Sequence, residues 1–172
     1  MREFSRHLPG VHPRQRGTRP RAPALIIAPM AAILFQVYSP RFAPFLQFLE
    51  LPLLVTVYFA LMRRAAAQGI LIGAVIGLMQ DAFSHNPIGL YGIAKTVTGY
   101  FAATLSQHVD GEDAGIRFLV GSGFYFLHQV FYLLLCNLLL AQQLPLELLQ
   151  SLLFGALNGA IAVPLFGLLD RL

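Results

Sequence analysis

Between Ala24 and Leu169 the sequence is a succession of apolar runs, separated by short turns rich in Pro, Gly, Arg and Asn. A helix needs about 20 consecutive apolar residues to cross a bilayer. These runs approach that length, and only 12% of the 172 residues are charged while 56% are hydrophobic. A soluble domain of this size would be about a quarter charged. The chain therefore reads as an integral membrane protein, an all-α bundle. After a polar tail of roughly twenty residues, the remainder has room for about six spanning helices with short loops. No extramembrane segment after the tail is long enough for a soluble domain, which excludes a conventional ATPase or hydrolase domain.

The net charge of +4 is unevenly distributed: Arg2, Arg6, Arg14, Arg16, Arg19 and Arg21 all fall in the first 21 residues. Pro9, Pro13, Pro20, Gly10 and Gly17 share that stretch, so residues 1–22 are expected to form a basic tail without stable structure. Arginines ahead of a first span hold the N-terminus in the cytoplasm, and anionic headgroups add attraction. Basic residues also suit nucleic acid. The aromatic interleaving of a nucleic-acid surface is missing here, so membrane lipid is the expected contact and nucleic acid is not. Cys136 is the only cysteine. An intrachain disulfide and a paired-cysteine metal site are excluded, and the residue reads as an inert small hydrophobe. The first apolar run is read as an uncleaved anchor, because no small-residue cleavage site follows it.

Residues 23–172 divide into six expected spans, at about 24–38, 44–62, 66–83, 87–107, 115–141 and 146–169. Pro44, Pro87 and Pro145 fit helix starts, where a missing N–H does no harm. With alternating passes, the tail arginines, Arg63, Arg64, Arg117 and Arg171 all lie on one side, and Arg41 alone on the other. The positive-inside rule then places both termini in the cytoplasm. The acidic turn Asp110, Glu112 and Asp113 falls on that same side, where acidic residues hardly affect the rule.

Within this topology, the polar residues inside the runs can be assigned depths. Glu50, Asp81, Lys95, Gln36 and Asn137 fall near the outer ends of their spans, in one layer about 10 Å thick. His128 and Asn158 fall deeper, near mid-membrane. Ionisable groups in hydrocarbon are costly and face the bundle interior, pair up or mark a functional path. The turn His85-Asn86-Pro87-Ile88-Gly89 joins the third and fourth runs as a tight hairpin, with Pro87 and Gly89 as its turn residues. That hairpin brings Asp81 and Lys95 to similar depth, so an internal Asp81–Lys95 pair is expected. A proton relay would require titratable groups at successive depths, and only His128 offers one.

Gly69, Gly73 and Gly77 repeat every four residues and form a smooth stripe, as do Gly155 and Gly159. Such stripes let helix backbones approach closely. Ala24, Ala28 and Ala32 form a weaker stripe in the first run. Tyr125, His128, Gln129, Tyr132 and Cys136 fall at spacings of three and four and make a polar face on the fifth helix. Interhelical hydrogen bonding explains such a face, and ligand contact is the sharper alternative. Ser84, Ser106, Ser122 and Ser151 lack a histidine–acid arrangement at a recognisable spacing. Neither a metalloprotease nor a nucleophile-elbow signature occurs. His85 and His108 cannot pair at a ligand spacing. No catalytic residue, metal site or cofactor is expected, and the chain does not read as an enzyme.

The stretch 52–100 resembles the rod shape-determining protein MreD family. The resemblance rests on Gly69-Ile70-Leu71-Ile72-Gly73, Gly77-Leu78-Met79-Gln80-Asp81, Pro87-Ile88-Gly89-Leu90-Tyr91-Gly92, Lys95 and Gly99-Tyr100. Asn158-Gly159 followed by Val163-Pro164-Leu165 is similar to that family's last helix. The resemblance implies a non-catalytic scaffold of the bacterial cell-elongation machinery in the cytoplasmic membrane, acting on cell shape and lateral peptidoglycan synthesis. It implies MreC, a single-span protein, as partner, and through it the MreB filament and the RodA–penicillin-binding-protein synthase pair. The family is structurally akin to the substrate-binding subunits of energy-coupling-factor transporters. The alternative is therefore a vitamin-binding subunit, with Tyr38, Tyr91, Tyr125 and Tyr132 as candidate walls and the alanine stripe as a docking face.

Overall fold

The computed structural model describes residues 23–84, 87–109, 113–141 and 147–172. The basic tail, His85, Asn86, Asp110, Glu112 and Pro145 lie outside the described residues. The secondary structure among the described residues is entirely helical: α1 (Ala24–Tyr38), α2 (Leu51–Arg63), α3 (Ala66–Phe83), α4 (Leu90–Leu105), α5 (Ala114–Leu140) and α6 (Leu148–Leu169), with two short 3₁₀ turns, Ser39–Arg41 and Pro44–Phe48, between α1 and α2. Among the described residues five segments are long and apolar enough to cross a bilayer: Ala24–Arg41, Pro44–Arg63, Ala66–Phe83, Ala114–Leu140 and Leu148–Leu169. Six were expected. The exception is α4, whose 16 residues rise about 24 Å, short of the ~30 Å hydrocarbon core.

Two expected helix starts shift. The second run is broken: Pro44–Phe48 forms a 3₁₀ turn, Leu49 is extended, and the α-helix begins at Leu51. The fourth helix begins at Leu90, three residues after Pro87, because Gly89 adopts a left-handed conformation at φ 107° that ends the turn. Glycine alone enters that region without steric cost.

α2 is the centre of the bundle. Nine consecutive residues, Pro52 to Ala60, are buried on every side of the helix, and α2 touches all five other helices. A helix hydrophobic all round is one surrounded by protein or lipid, and here protein surrounds it. The other helices turn apolar side chains outward. Leu71, Leu119 and Leu138 are each more than 60% exposed, as lipid-facing residues would be.

The glycine stripe of α3 is pressed against α4. A Cβ at Gly69 would collide with the Gly99 carbonyl, at Gly73 with the Lys95 carbonyl, and at Gly77 with the Tyr91 carbonyl. All three neighbours are backbone and cannot rotate away. α5 and α6 pack likewise: a Cβ at Gly121 would sit 2.5 Å from Ala162 Cβ, and one at Gly159 2.7 Å from the Phe118 carbonyl. Gly155 opposes the Phe126 ring. Helix association in lipid relies on such backbone approach, so both stripes act within the chain. Ala32 belongs to the core cluster and Ala28 packs against it, so the alanine stripe expected as a docking face turns inward. Thr56, Thr96, Thr98 and Thr104 each donate to the carbonyl four residues back. That local bond makes a hydroxyl tolerable inside a span.

Candidate functional site

Among the described residues the buried Asp, Glu, Lys and His side chains fall into two groups, at the α3–α4 hairpin and around Lys95; Ser39, Thr56, Gln80, Thr98, Ser106 and Asn158 are the other buried polar residues. Asp81 is 1% exposed at the end of α3, facing the start of α4. Its Oδ2 accepts from the Gly89 and Gly92 N–H groups, each at 2.9 Å, and its Oδ1 from the Tyr91 N–H at 3.0 Å. The first N–H groups of a helix have no intrahelical partner, and the residue preceding α4, Gly89, has no side chain to cap them. Asp81 supplies that cap from the neighbouring helix. A Cβ at Gly92 would lie 2.9 Å from Leu78 Cδ2 but only in ordinary contact with Asp81 Oδ2, so this glycine makes room for the Leu78 side chain of α3.

The expected Asp81–Lys95 pair is therefore absent. Lys95 lies five residues into α4, about 7.5 Å along its axis, and turns toward α2 and α5. Its Nζ is 3.3 Å from Glu50 Oε2 and 3.4 Å from His128 Nε2, and sits 4.4 Å from the centroid of the Tyr91 ring. The side chain is fully buried, and Glu50 nearly so. The ammonium thus meets a carboxylate, an imidazole nitrogen and an aromatic face, all favourable to a cation. An ammonium only donates, so a charged Lys95 requires His128 Nε2 as acceptor, while His128 Nδ1 is buried without a hydrogen-bond partner among the described residues. Tyr91 stacks on His128 at 5.9 Å and on Tyr132 at 5.1 Å between centroids, closing the ammonium off on the α5 side. Helix dipole and backbone donors capture the nearer carboxylate, and the lysine is left to the farther one.

Asn158 occupies the third corner. Its Oδ1 accepts from the Glu50 N–H at 3.0 Å, and its Nδ2 donates to the Phe48 and Phe154 carbonyls at 2.9 and 2.8 Å. The break before α2 exposes backbone groups where no helix satisfies them, and irregular backbone at membrane depth is tolerated only when the protein supplies partners. Asn158 supplies two of them and fixes the Glu50 backbone while doing so. Phe48 and Phe154 stack at 4.1 Å beside it.

These contacts revise the expected depths. His128 and Asn158 join the layer of Glu50 and Lys95 and do not form a separate, deeper set. The break before α2 and the offset start of α4 shift the residue counts from which depth was reckoned. Asn137 is exposed. Cys136, the preceding residue, is the one turned inward, free and buried, and a step of one residue rotates Asn137 about 100° away. Gln36 donates to the Gln47 carbonyl at 2.9 Å, tying α1 to the 3₁₀ turn. Tyr38 is half exposed, beneath the Arg41 guanidinium at 5.2 Å. The polar face of α5 points inward: Tyr125, His128 and Cys136 are buried, Gln129 and Tyr132 partly so.

Sequence reading missed a second ionic contact. Arg117 at the start of α5 bonds Asp170 after α6 at 2.6 Å, and Tyr58 donates to the same carboxylate at 2.9 Å. Asp170 stands 53 residues from Arg117, and no local spacing signals the pair.

The Glu50–Lys95–His128 trio has charges and a titratable ring, but its groups are directed at one another. Among the described residues one surface groove lies between α1 and α3 and another along α3 and α4. Neither is lined by Glu50, Lys95, His128 or Asn158. Among the described residues no group of three or more His, Cys, Asp or Glu is placed to hold a metal ion. No family model, no curated protein and no solved structure matches this chain.

Proposed function

We propose that this chain is a non-catalytic membrane scaffold, of the kind the MreD family provides to the bacterial cell-elongation machinery. In this reading it sits in the cytoplasmic membrane with six passes and both termini in the cytoplasm, and it binds a single-span partner of the MreC type. The observation that carries the reading is that the intramembrane charged groups are turned on one another and on backbone, although Gln36 Oε1, Ser39 Oγ, Gln80 Oε1 and His128 Nδ1 are buried without a hydrogen-bond partner among the described residues. Asp81 caps α4, Asn158 bridges the break before α2, and Lys95 is enclosed by Glu50, His128 and Tyr91. Groups arranged in this way favour one helix packing, and among the described residues none of Glu50, Lys95, His128 and Asn158 lines the grooves at the bundle surface. The resemblance over residues 52–100 includes the hairpin that Asp81 locks. The Arg117–Asp170 contact gathers the start of α5 and the end of α6 at one end of the bundle, as alternating passes require in either orientation.

The vitamin-binding alternative needs an open pocket in the same polar layer. Tyr91 and Tyr132 could wall one, but both are stacked against His128 and each other. Photocrosslinking from lipid-facing positions in native membranes, followed by identification of the captured protein, tests the proposal. Capture of a single-span protein with a coiled-coil segment is the expected result. Thermal stabilisation of the purified chain by a vitamin, without such a partner, would overturn it.

A further inference from the structure

A groove of about 450 Å³ opens between α1 and α3, with α2 as its floor. Leu25, Phe59, Leu71 and Val75 line its length, and Arg63 and Gln68 stand at one end. Arg64 follows Arg63 in the same exposed turn, and neither arginine has an ion-pair partner among the described residues. One end of the groove is thus cationic and polar, and the rest is hydrocarbon.

Size decides what can fill it. One turn of an α-helix, 5.4 Å long and about 10 Å across, occupies roughly 400 Å³. A partner helix packs over several turns, so the groove is too small to seat one. It is large enough for a slim chain, and its volume lies in the ordinary range of about 300–1,000 Å³ for small-ligand sites. Charge decides the rest. Two arginines at the end of a membrane helix lie at headgroup depth, and basic pockets there select anionic lipids. The first N–H groups of α3, beside these arginines, have no side-chain cap, so they too favour a negative group.

We propose that this groove binds an anionic phospholipid, with one acyl chain along Leu25, Phe59, Leu71 and Val75 and the phosphate at Arg63 and Arg64. The site is separate from the Lys95 cluster and stands or falls independently of the scaffold reading. The lipid fills the gap between α1 and α3 and tethers the α2–α3 turn to the headgroup layer.

The test is native mass spectrometry of the full chain released from nanodiscs containing equal amounts of phosphatidylglycerol and phosphatidylcholine. The wild type should retain phosphatidylglycerol preferentially. Each arginine near the surface contributes about fivefold in affinity, so R63Q should weaken retention about fivefold and the R63Q/R64Q pair roughly twenty- to thirtyfold. V75W, which fills the groove with an indole, should abolish retention, and L119W, on the exposed face of α5, should not. All four positions are exposed, and thermal melting in phosphatidylcholine alone checks that each variant is folded. Equal retention of the two lipids, or undiminished retention by folded R63Q/R64Q or V75W, would overturn the proposal. So would capture of a protein segment by a photocrosslinker placed at Val75.

Discussion

Replacing Lys95 by Met should destabilise the bundle severely, and removing its partner as well should restore most of the loss. At 3.3 Å, two unit charges attract by about 5 kcal/mol at an effective dielectric of 20. Removing one partner of a buried pair costs about 3–5 kcal/mol, because the remaining charge is stranded, while replacing both by apolar groups is often close to neutral. Lys95→Met leaves Glu50 stranded and Glu50→Gln leaves Lys95 stranded. Each should cost about 3–5 kcal/mol by that argument, and the double variant, close to neutral, should recover more than half of the sum, at least about 3 kcal/mol. Asp81 is the internal control. Its carboxylate bonds backbone N–H groups and not Lys95, so Lys95→Met should give no rescue of Asp81→Asn. The assay is reversible unfolding in mixed micelles or bicelles, with fraction folded followed by a fluorophore on α5 and each double-mutant cycle closed. Additive losses for the Glu50/Lys95 cycle, or rescue in the Asp81/Lys95 cycle, would refute the assignment of partners.

Three further outcomes follow from the packing. Asp81→Ala removes three bonds to backbone donors, and with charge-assisted bonds worth about 1.5–3 kcal/mol each it should cost at least about 4 kcal/mol; hydrogen exchange at Tyr91 and Gly92 should rise before global unfolding. Gly73→Ala drives a methyl into the Lys95 carbonyl and should separate α3 from α4, lowering folded yield, whereas Gly123→Ala, with nothing within 4 Å, should be neutral or stabilise by up to ~1 kcal/mol; equal effects of the two would contradict the close approach. Asn158→Leu leaves the Glu50 N–H and the Phe48 carbonyl without partners, at about 1–3 kcal/mol each, and unfolding measurements should find it worse than Asn137→Leu, whose side chain is exposed.

Helix existence was legible in the sequence, and helix facing was not. The spans expected at 24–38 and 66–83 coincide with α1 and α3, because turn residues and arginines punctuate the apolar runs. The central place of α2 left no trace, since lipid is as apolar as a protein core and Pro52–Ala60 reads the same whether protein or hydrocarbon surrounds it. The glycine stripes were legible because only a missing side chain permits backbone contact. Glu50, Asp81, Lys95, His128 and Asn158 stood out as buried polar residues because charge in hydrocarbon is conspicuous. Their pairing did not follow from depth. Asp81 was drawn to the nearest unsatisfied N–H groups, a local effect of helix geometry, while Lys95 reached a residue 45 positions away. The break before α2 was hidden because Pro44 begins a plausible helix, and the cost of ending it at Phe48 is offset by Asn158, 110 residues later.

In the proposed scaffold the buried polar cluster holds the bundle together and is not a site of chemistry. The most direct measurement is recovery of the membrane partner by the charge-free variant Glu50→Gln/Lys95→Met, purified from native membranes beside the wild type at equal folded amounts. A scaffold should yield the same single-span protein in the same proportion from both. A folded double variant that captures none of it would contradict the claim.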